Sequence, residues 1–172
     1  MPRALALIAA LAAMLLLPAT AQATNANGNH ASYVFLAGEE PVEGPDMAAG
    51  PGGTIALAGS GSFRAGPNKS ASGGGDYTLT DAAGNTSSGT WNVVGVLGFV
   101  NYGDGAAQGA PGVNGGQLQL MIALSNGATG VLTVTCLLGS PPAGMDEGVT
   151  LVLGQGGAFT KSTRGETAFI PV

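Results

Sequence analysis

The sequence predicts an all-β fold: a single antiparallel β-sandwich or closed β-barrel of about eight to nine strands. Three observations carry this. Apolar and polar residues alternate with period two in most apolar segments, turn residues recur between those segments, and no stretch beyond residue 23 has a helical apolar period. Alternation of this kind marks strands with one buried and one wetted face. It is common to sandwiches and barrels, so the choice between them stays open at this level.

The first 23 residues stand apart from that fold. Met1-Pro2-Arg3 is a short cationic start, residues 4–17 are an unbroken apolar run, Pro18 ends it, and Ala21-Gln22-Ala23 has the small-x-small form of a cleavage site. Ala19-Thr20-Ala21 fits nearly as well and would place cleavage after Ala21. The apolar run falls short of the roughly 20 residues that a bilayer span needs. The expectation is a cleaved signal peptide over 1–23, a flexible mature N-terminus over 24–31 and one all-β domain over 32–172. The protein is then secreted, extracellular or periplasmic, and has no membrane attachment after signal cleavage.

The strands follow in order. Residues 32–36 form the first, and in 54–64 Ile55, Leu57, Gly59, Gly61 and Phe63 alternate with Ala56, Ala58, Ser60, Ser62 and Arg64. Residues 76–80 come next, then a long segment, 89–102, expected to bend or bulge at Gly95 or Gly98. Residues 117–124 set Leu118, Leu120, Ile122 and Leu124 against Gln117 and Gln119, and 131–137 set Leu132, Val134 and Cys136 against Thr133 and Thr135. The last strands are 148–153, 158–161 and 167–170. Gly73-Gly74-Gly75, Ala83-Gly84-Asn85, Ser125-Asn126-Gly127 and Gly154-Gln155-Gly156-Gly157 read as turns, and Asn126-Gly127 gives the clearest hairpin. Residues 38–53, 103–116 and 139–146 read as loops. The expected inward set is Ile55, Leu57, Phe63, Tyr77, Leu79, Trp91, Leu118, Leu120, Ile122, Leu124, Leu132, Val134, Leu151 and Phe169.

Composition narrows the partners. The chain has 31 glycines, 10 acidic and 5 basic residues, one histidine and one cysteine. Beyond Arg3 the cations are Arg64, Lys69, Lys161 and Arg164, which form no cluster in sequence. Nucleic acids and anionic membranes ask for several such charges together, so neither is an expected partner. Cys136 has no second cysteine to bridge to, and its place in the alternation points inward, to a buried, inert thiol.

No catalytic motif emerges. His30, the only histidine, falls near the mature N-terminus and offers little as a triad base or zinc ligand. Carboxylate chemistry needs no histidine, and Asp76, Asp81, Asp104, Asp146, Glu147 and Glu166 are available for it. Asp76, Asp81 and Asp104 fall at strand ends or turns, where Asp also shapes local backbone. With Tyr102 and Trp91 they are the candidate ligand-site residues, and Tyr33 and Tyr77 add further aromatic surface for a glycan. Asp81-Ala82-Ala83-Gly84-Asn85 lacks the repeated acids of a calcium loop and reads as a turn. Asn68-Lys69-Ser70 and Asn85-Thr86-Ser87 fit the N-glycosylation pattern, which places Asn68 and Asn85 as acceptors in a eukaryotic source.

Two short stretches bear a resemblance to known families. Gly89-Thr90-Trp91 resembles the Gly-x-Trp of the opening lipocalin strand, although here it lies mid-chain without the lipocalin disulfides and helix. Gly59-Ser60-Gly61-Ser62-Phe63-Arg64 resembles the Gly-x-Gly-x-Phe strand of dirigent and allene-oxide-cyclase barrels, whose other patterns are absent. Each match covers a few residues, and no functional residue is carried over. The functional expectation is a secreted β-rich binding or structural module without cofactor or catalytic activity, with an extracellular glycan or protein as partner. The alternatives are a small barrel enzyme, hydrolase or cyclase-like isomerase, working through carboxylates, and a glycan-binding module.

Overall fold

Because almost every apolar segment alternates with period two, most of the described residues are drawn into one antiparallel sheet. The computed structural model describes residues 31–39, 44–155 and 157–172. The expected signal peptide, His30, and most of the expected mobile N-terminus lie outside them. Eleven strands occur among the described residues: β1 (Ser32–Ala37), β2 (Asp46–Gly50), β3 (Gly53–Arg64), β4 (Ser70–Asp81), β5 (Thr86–Gly105), β6 (Ala110–Leu124), β7 (Thr129–Cys136), β8 (Gly148–Leu153), β9 (Ala158–Phe159), β10 (Lys161–Arg164) and β11 (Thr167–Pro171). A single 3-10 turn, Ala106–Gln108, joins β5 to β6.

Strand β3 is the hub. It pairs with β4 along its whole length, from Gly53↔Asp81 to Arg64↔Ser70. Its other edge is shared: β2 takes the first half, from Gly50↔Gly53 to Asp46↔Leu57, and β1 the second, from Ala37↔Gly59 to Ser32↔Arg64. Beyond β4 the order runs β5, β6, β7, β8 and β9. Strand β11 pairs with β1 over five residues and meets β6 at Phe169↔Asn114. The pairings β3–β4–β5–β6–β11–β1–β3 therefore return to their start.

The inward faces make one core. Thirteen of the fourteen residues expected inside are buried, and the remaining one, Leu79, is half-buried against them. One end of the interior is aromatic. Tyr33 stacks on Phe63 with centroids 5.1 Å apart, and Phe99 lies 4.8 Å from Phe63 and 5.1 Å from Phe169 in edge-on contacts. Cys136 is buried, and burial pushes its thiol up to about 11.

The hairpin at Asn126-Gly127 forms as read: Leu124 N–H donates to Ala128 O (2.8 Å), and Gly127 adopts φ 89°. The bend in β5 also falls where expected, with register shifts at Val93/Gly95 and Val96/Gly98 and a third at Asn101/Gly103.

Four expectations need correction. Gly73-Gly74-Gly75 is not a turn; it lies inside β4, facing Gly61, Ser60 and Gly59. A Cβ on Gly59 would stand 2.4 Å from Gly74 O and 2.6 Å from the Trp91 ring, and one on Gly75 would stand 1.9 Å from Ala58 O. These glycines let two backbones and an indole approach closely. Residues 110–116 are not loop: β6 begins at Ala110, because Gly115 and Gly116 pack where a side chain would meet Leu138 O and Phe99. The region 38–53 contains β2, which short Ala side chains and an inward aspartate had concealed. Residues 158–161 split into β9 and the start of β10, pairing with β8 and β2 respectively.

Candidate functional site

The carboxylates are best followed from their local backbone. Asp81 ends β4, and its Oδ1 accepts the N–H groups of Ala83 and Asn85 (both 2.9 Å) while Oδ2 accepts Asn85 Nδ2 (2.9 Å). Those bonds favour the charged form and hold its pKa below the usual carboxylate range. Asn85, one of the two acceptors expected in a eukaryotic source, is thus part of that turn, while Asn68 is exposed in the β3–β4 turn. Asp104 does similar work at the other end of β5, accepting Ala106 N–H (2.7 Å) and Gly112 N–H (3.0 Å). Asp76 is exposed on β4, opposite Thr90. Tyr102 is half-buried, and burial raises its pKa. Trp91 belongs to the core, its Nε1 donating to Ala58 O (3.3 Å). The fold separates this set: Asp81 and Asp104 flank opposite ends of the 20-residue β5.

Another group of acids does converge. Asp46, at the start of β2, is fully buried; its Oδ1 accepts Glu166 N–H (2.8 Å), and its Oδ2 has no hydrogen-bond partner. Burial pushes its pKa up to about 7, with smaller contributions from the neighbouring Glu147 and Glu166 charges opposed by Arg164. Glu147 Oε2 accepts Leu137 N–H (2.6 Å), and its Oε1 accepts Thr167 N–H (3.3 Å), with Thr167 Oγ1 2.8 Å from the same oxygen. Burial raises its pKa as well. Its neighbour Asp146 is exposed. These groups tie β2, β8 and β11 together from within. Asp46 escapes sequence reasoning because an inward aspartate breaks the very alternation used to find inward residues.

Two depressions among the described residues lie around Arg64 at the end of β3. One open depression of about 370 Å³ is walled by Ser32, Ser62, Arg64, Ser70 and Ser72. Another, of about 210 Å³, lies between the β3–β4 turn and β5, lined by Arg64, Gly66, Lys69, Val96 and Phe99. Among the described residues neither is lined by an aspartate or glutamate side chain, and Val172 also lines the larger one. The Arg64 guanidinium, exposed and shared by both, makes no hydrogen bond or ion pair among the described residues. The Lys69 ammonium donates to Leu97 O. Register decides this meeting: Arg64 faces Ser32 and Ser70 across the ladders, and the short turn returns Lys69 to the same end. Sequence separation hid it, since two cations five residues apart look isolated on paper. Among the described residues no group of histidine, cysteine and acidic side chains is arranged to hold a metal ion. No protein-family model, curated protein or solved structure matches the chain.

Proposed function

We propose that this protein is an exported, non-enzymatic binding module that holds an anionic group of an extracellular partner, glycan or protein, in the Arg64 depressions. The observation that carries the reading is the exposed Arg64 guanidinium, without an ion pair among the described residues and shared by two concavities lined by no aspartate or glutamate side chain, on a chain with twice as many acidic as basic residues. Serine hydroxyls on three strands surround it and supply donors of the kind a carboxylate or sulfate accepts. The apolar N-terminal run with its small-x-small site supports export.

The scaffold is read as a closed barrel, supported by the ladder that passes through β11 and β1 back to β3. Ser62, Ser72, Asp76 and Thr78 on the outer face of β3 and β4 favour contact with water over lipid.

The runner-up reading, a barrel enzyme using carboxylates, draws on Asp46 and Glu147. Asp46 is fully buried, though, and a general acid must reach the proton it transfers. A glycan platform would use exposed aromatics, whereas Tyr33, Tyr77 and Trp91 are buried.

The test is a nuclear magnetic resonance titration of the mature chain with sulfate and with glucuronate. Shifts centred on Arg64, Lys69 and the surrounding serines, lost in Arg64→Gln, are expected. Turnover of a glycoside or ester substrate that disappears in Glu147→Gln would overturn the reading. So would the absence of any shift at Arg64 with either anion.

A further inference from the structure

The ladder between β4 and β5 stops short. It runs from Thr80↔Thr86 to Gly74↔Asn92 and no further. Beyond it, Ser70 to Gly73 pair with β3 alone, and Val93, Gly95, Val96 and Gly98 to Asn101 pair with β6 alone, Val94 and Leu97 being the extra residues of two bulges. Two facing edges therefore diverge from Gly74 and Asn92, and the divergence starts where β5 enters its successive bulges, which swing a strand away from its neighbour. The 210 Å³ depression lies in this wedge. At its wide end the Lys69 ammonium donates to Leu97 O, a carbonyl on the β5 segment that has lost its β4 partner. Along the same segment Val94 (54% exposed), Leu97 (40%) and Val100 (58%) stand in solvent. An open strand edge is a ready template for another strand, and lysine at such an edge is a common guard.

We infer that this wedge accepts an extended peptide of a partner protein, in which acidic and apolar residues alternate, by strand addition along β5. The inference rests on the anion-binding reading above and specifies its ligand. Three observations select that occupant. The β5 edge offers main-chain groups that only a strand can satisfy in series. Arg64 and Lys69 at the mouth, on an otherwise acidic chain, select carboxylates over basic side chains. Val94, Leu97 and Val100 give the apolar positions of the incoming strand something to cover. The incoming strand would displace the Lys69 ammonium from Leu97 O and free it for an acidic side chain.

The experiment uses the full mature chain and a fluorescent heptapeptide, Thr-Val-Glu-Val-Glu-Val-Thr. Two twins serve as controls, one with lysine for glutamate and one N-methylated at alternate residues. Binding of the acidic peptide is expected, about tenfold or more weaker for each twin and several-fold weaker for Arg64→Gln. Hydrogen exchange should slow at the amides of 93–100 on binding and stay unchanged in β8. Equal binding of the N-methylated twin would overturn strand addition while leaving anion binding in place. Failure of the peptide, of sulfate and of glucuronate together would overturn both. Slow exchange at 93–100 without peptide, appearing only as protein concentration rises, would assign the edge to a second copy of this chain and overturn the inference.

Discussion

Two residues carry unusual physical weight, Asp46 and Gly59. Asp46 is a buried acid whose pKa lies at about 7 in the fold, against an ordinary 3.8. The folded chain thus holds a proton that the unfolded chain releases between those values, so stability falls as pH rises through that window and levels off above it. Glu147, shifted in the same direction, adds to the slope. Urea unfolding followed by Trp91 fluorescence should show about 1–3 kcal/mol less stability at pH 8 than at pH 5. In Asp46→Asn that difference should fall to less than half. An unchanged slope would show that Asp46 is ionised throughout. At Gly59, a Cβ would collide with Gly74 O and the Trp91 ring. Gly59→Ala should therefore cost about 2–3 kcal/mol and perturb the tryptophan emission.

At the scale of the element, β5 and β4 show two different uses of glycine. The bulges in β5 fall at Gly95 and Gly98, as the sequence predicts, yet neither residue has positive φ. A Cβ on Gly98 would meet nothing within 4 Å. Gly98→Ala should accordingly leave the midpoint of thermal unfolding within a degree or two, in contrast to Gly59→Ala. Equal losses at both sites would mean that β5 needs glycine for its bend. Strand β4 is the opposite case: its three consecutive glycines mimic a turn signal but serve close backbone packing inside a sheet. Strand periodicity was legible wherever one face carried large apolar residues, as in β6 and β7. It was illegible in β2 and β4, where glycine, alanine or an inward aspartate replaces the apolar side chains that make alternation visible.

For the whole molecule, β11 is the decisive element. It is short, but it joins β1 to β6 and places Phe169 in the aromatic end of the core. Its Thr167 also anchors Glu147 and donates to Thr135 O (2.6 Å). A chain ending at Gly165 should lose cooperative unfolding, because it opens the ring of pairings and removes a buried aromatic that alone is worth about 3–5 kcal/mol. A sharp thermal transition in that truncated chain would show that the remaining sheet folds without closure. The end of β11 pairs with β1 beside Arg64, Tyr33 meeting Pro171 and Ser32 meeting Arg64, so its pairing also shapes the proposed binding surface.

The sequence by itself determined the all-β class, most strand positions and nearly the whole inward set, because side-chain alternation is a local property of an extended chain. Trp91 as a core anchor and Cys136 as a buried thiol followed from the same parity. The tertiary structure decided which strands become neighbours, and with that everything that depends on register. Pairing with β3 turned Gly73-Gly74-Gly75 from an apparent turn into a packing surface, and the meeting of β2, β8 and β11 buried Asp46 beside Glu147. The early end of the β4–β5 ladder brought Arg64 and Lys69 to an open strand edge. Contacts between residues far apart in the chain are set by how strands align over a shared core, and no local pattern of residues encodes that alignment.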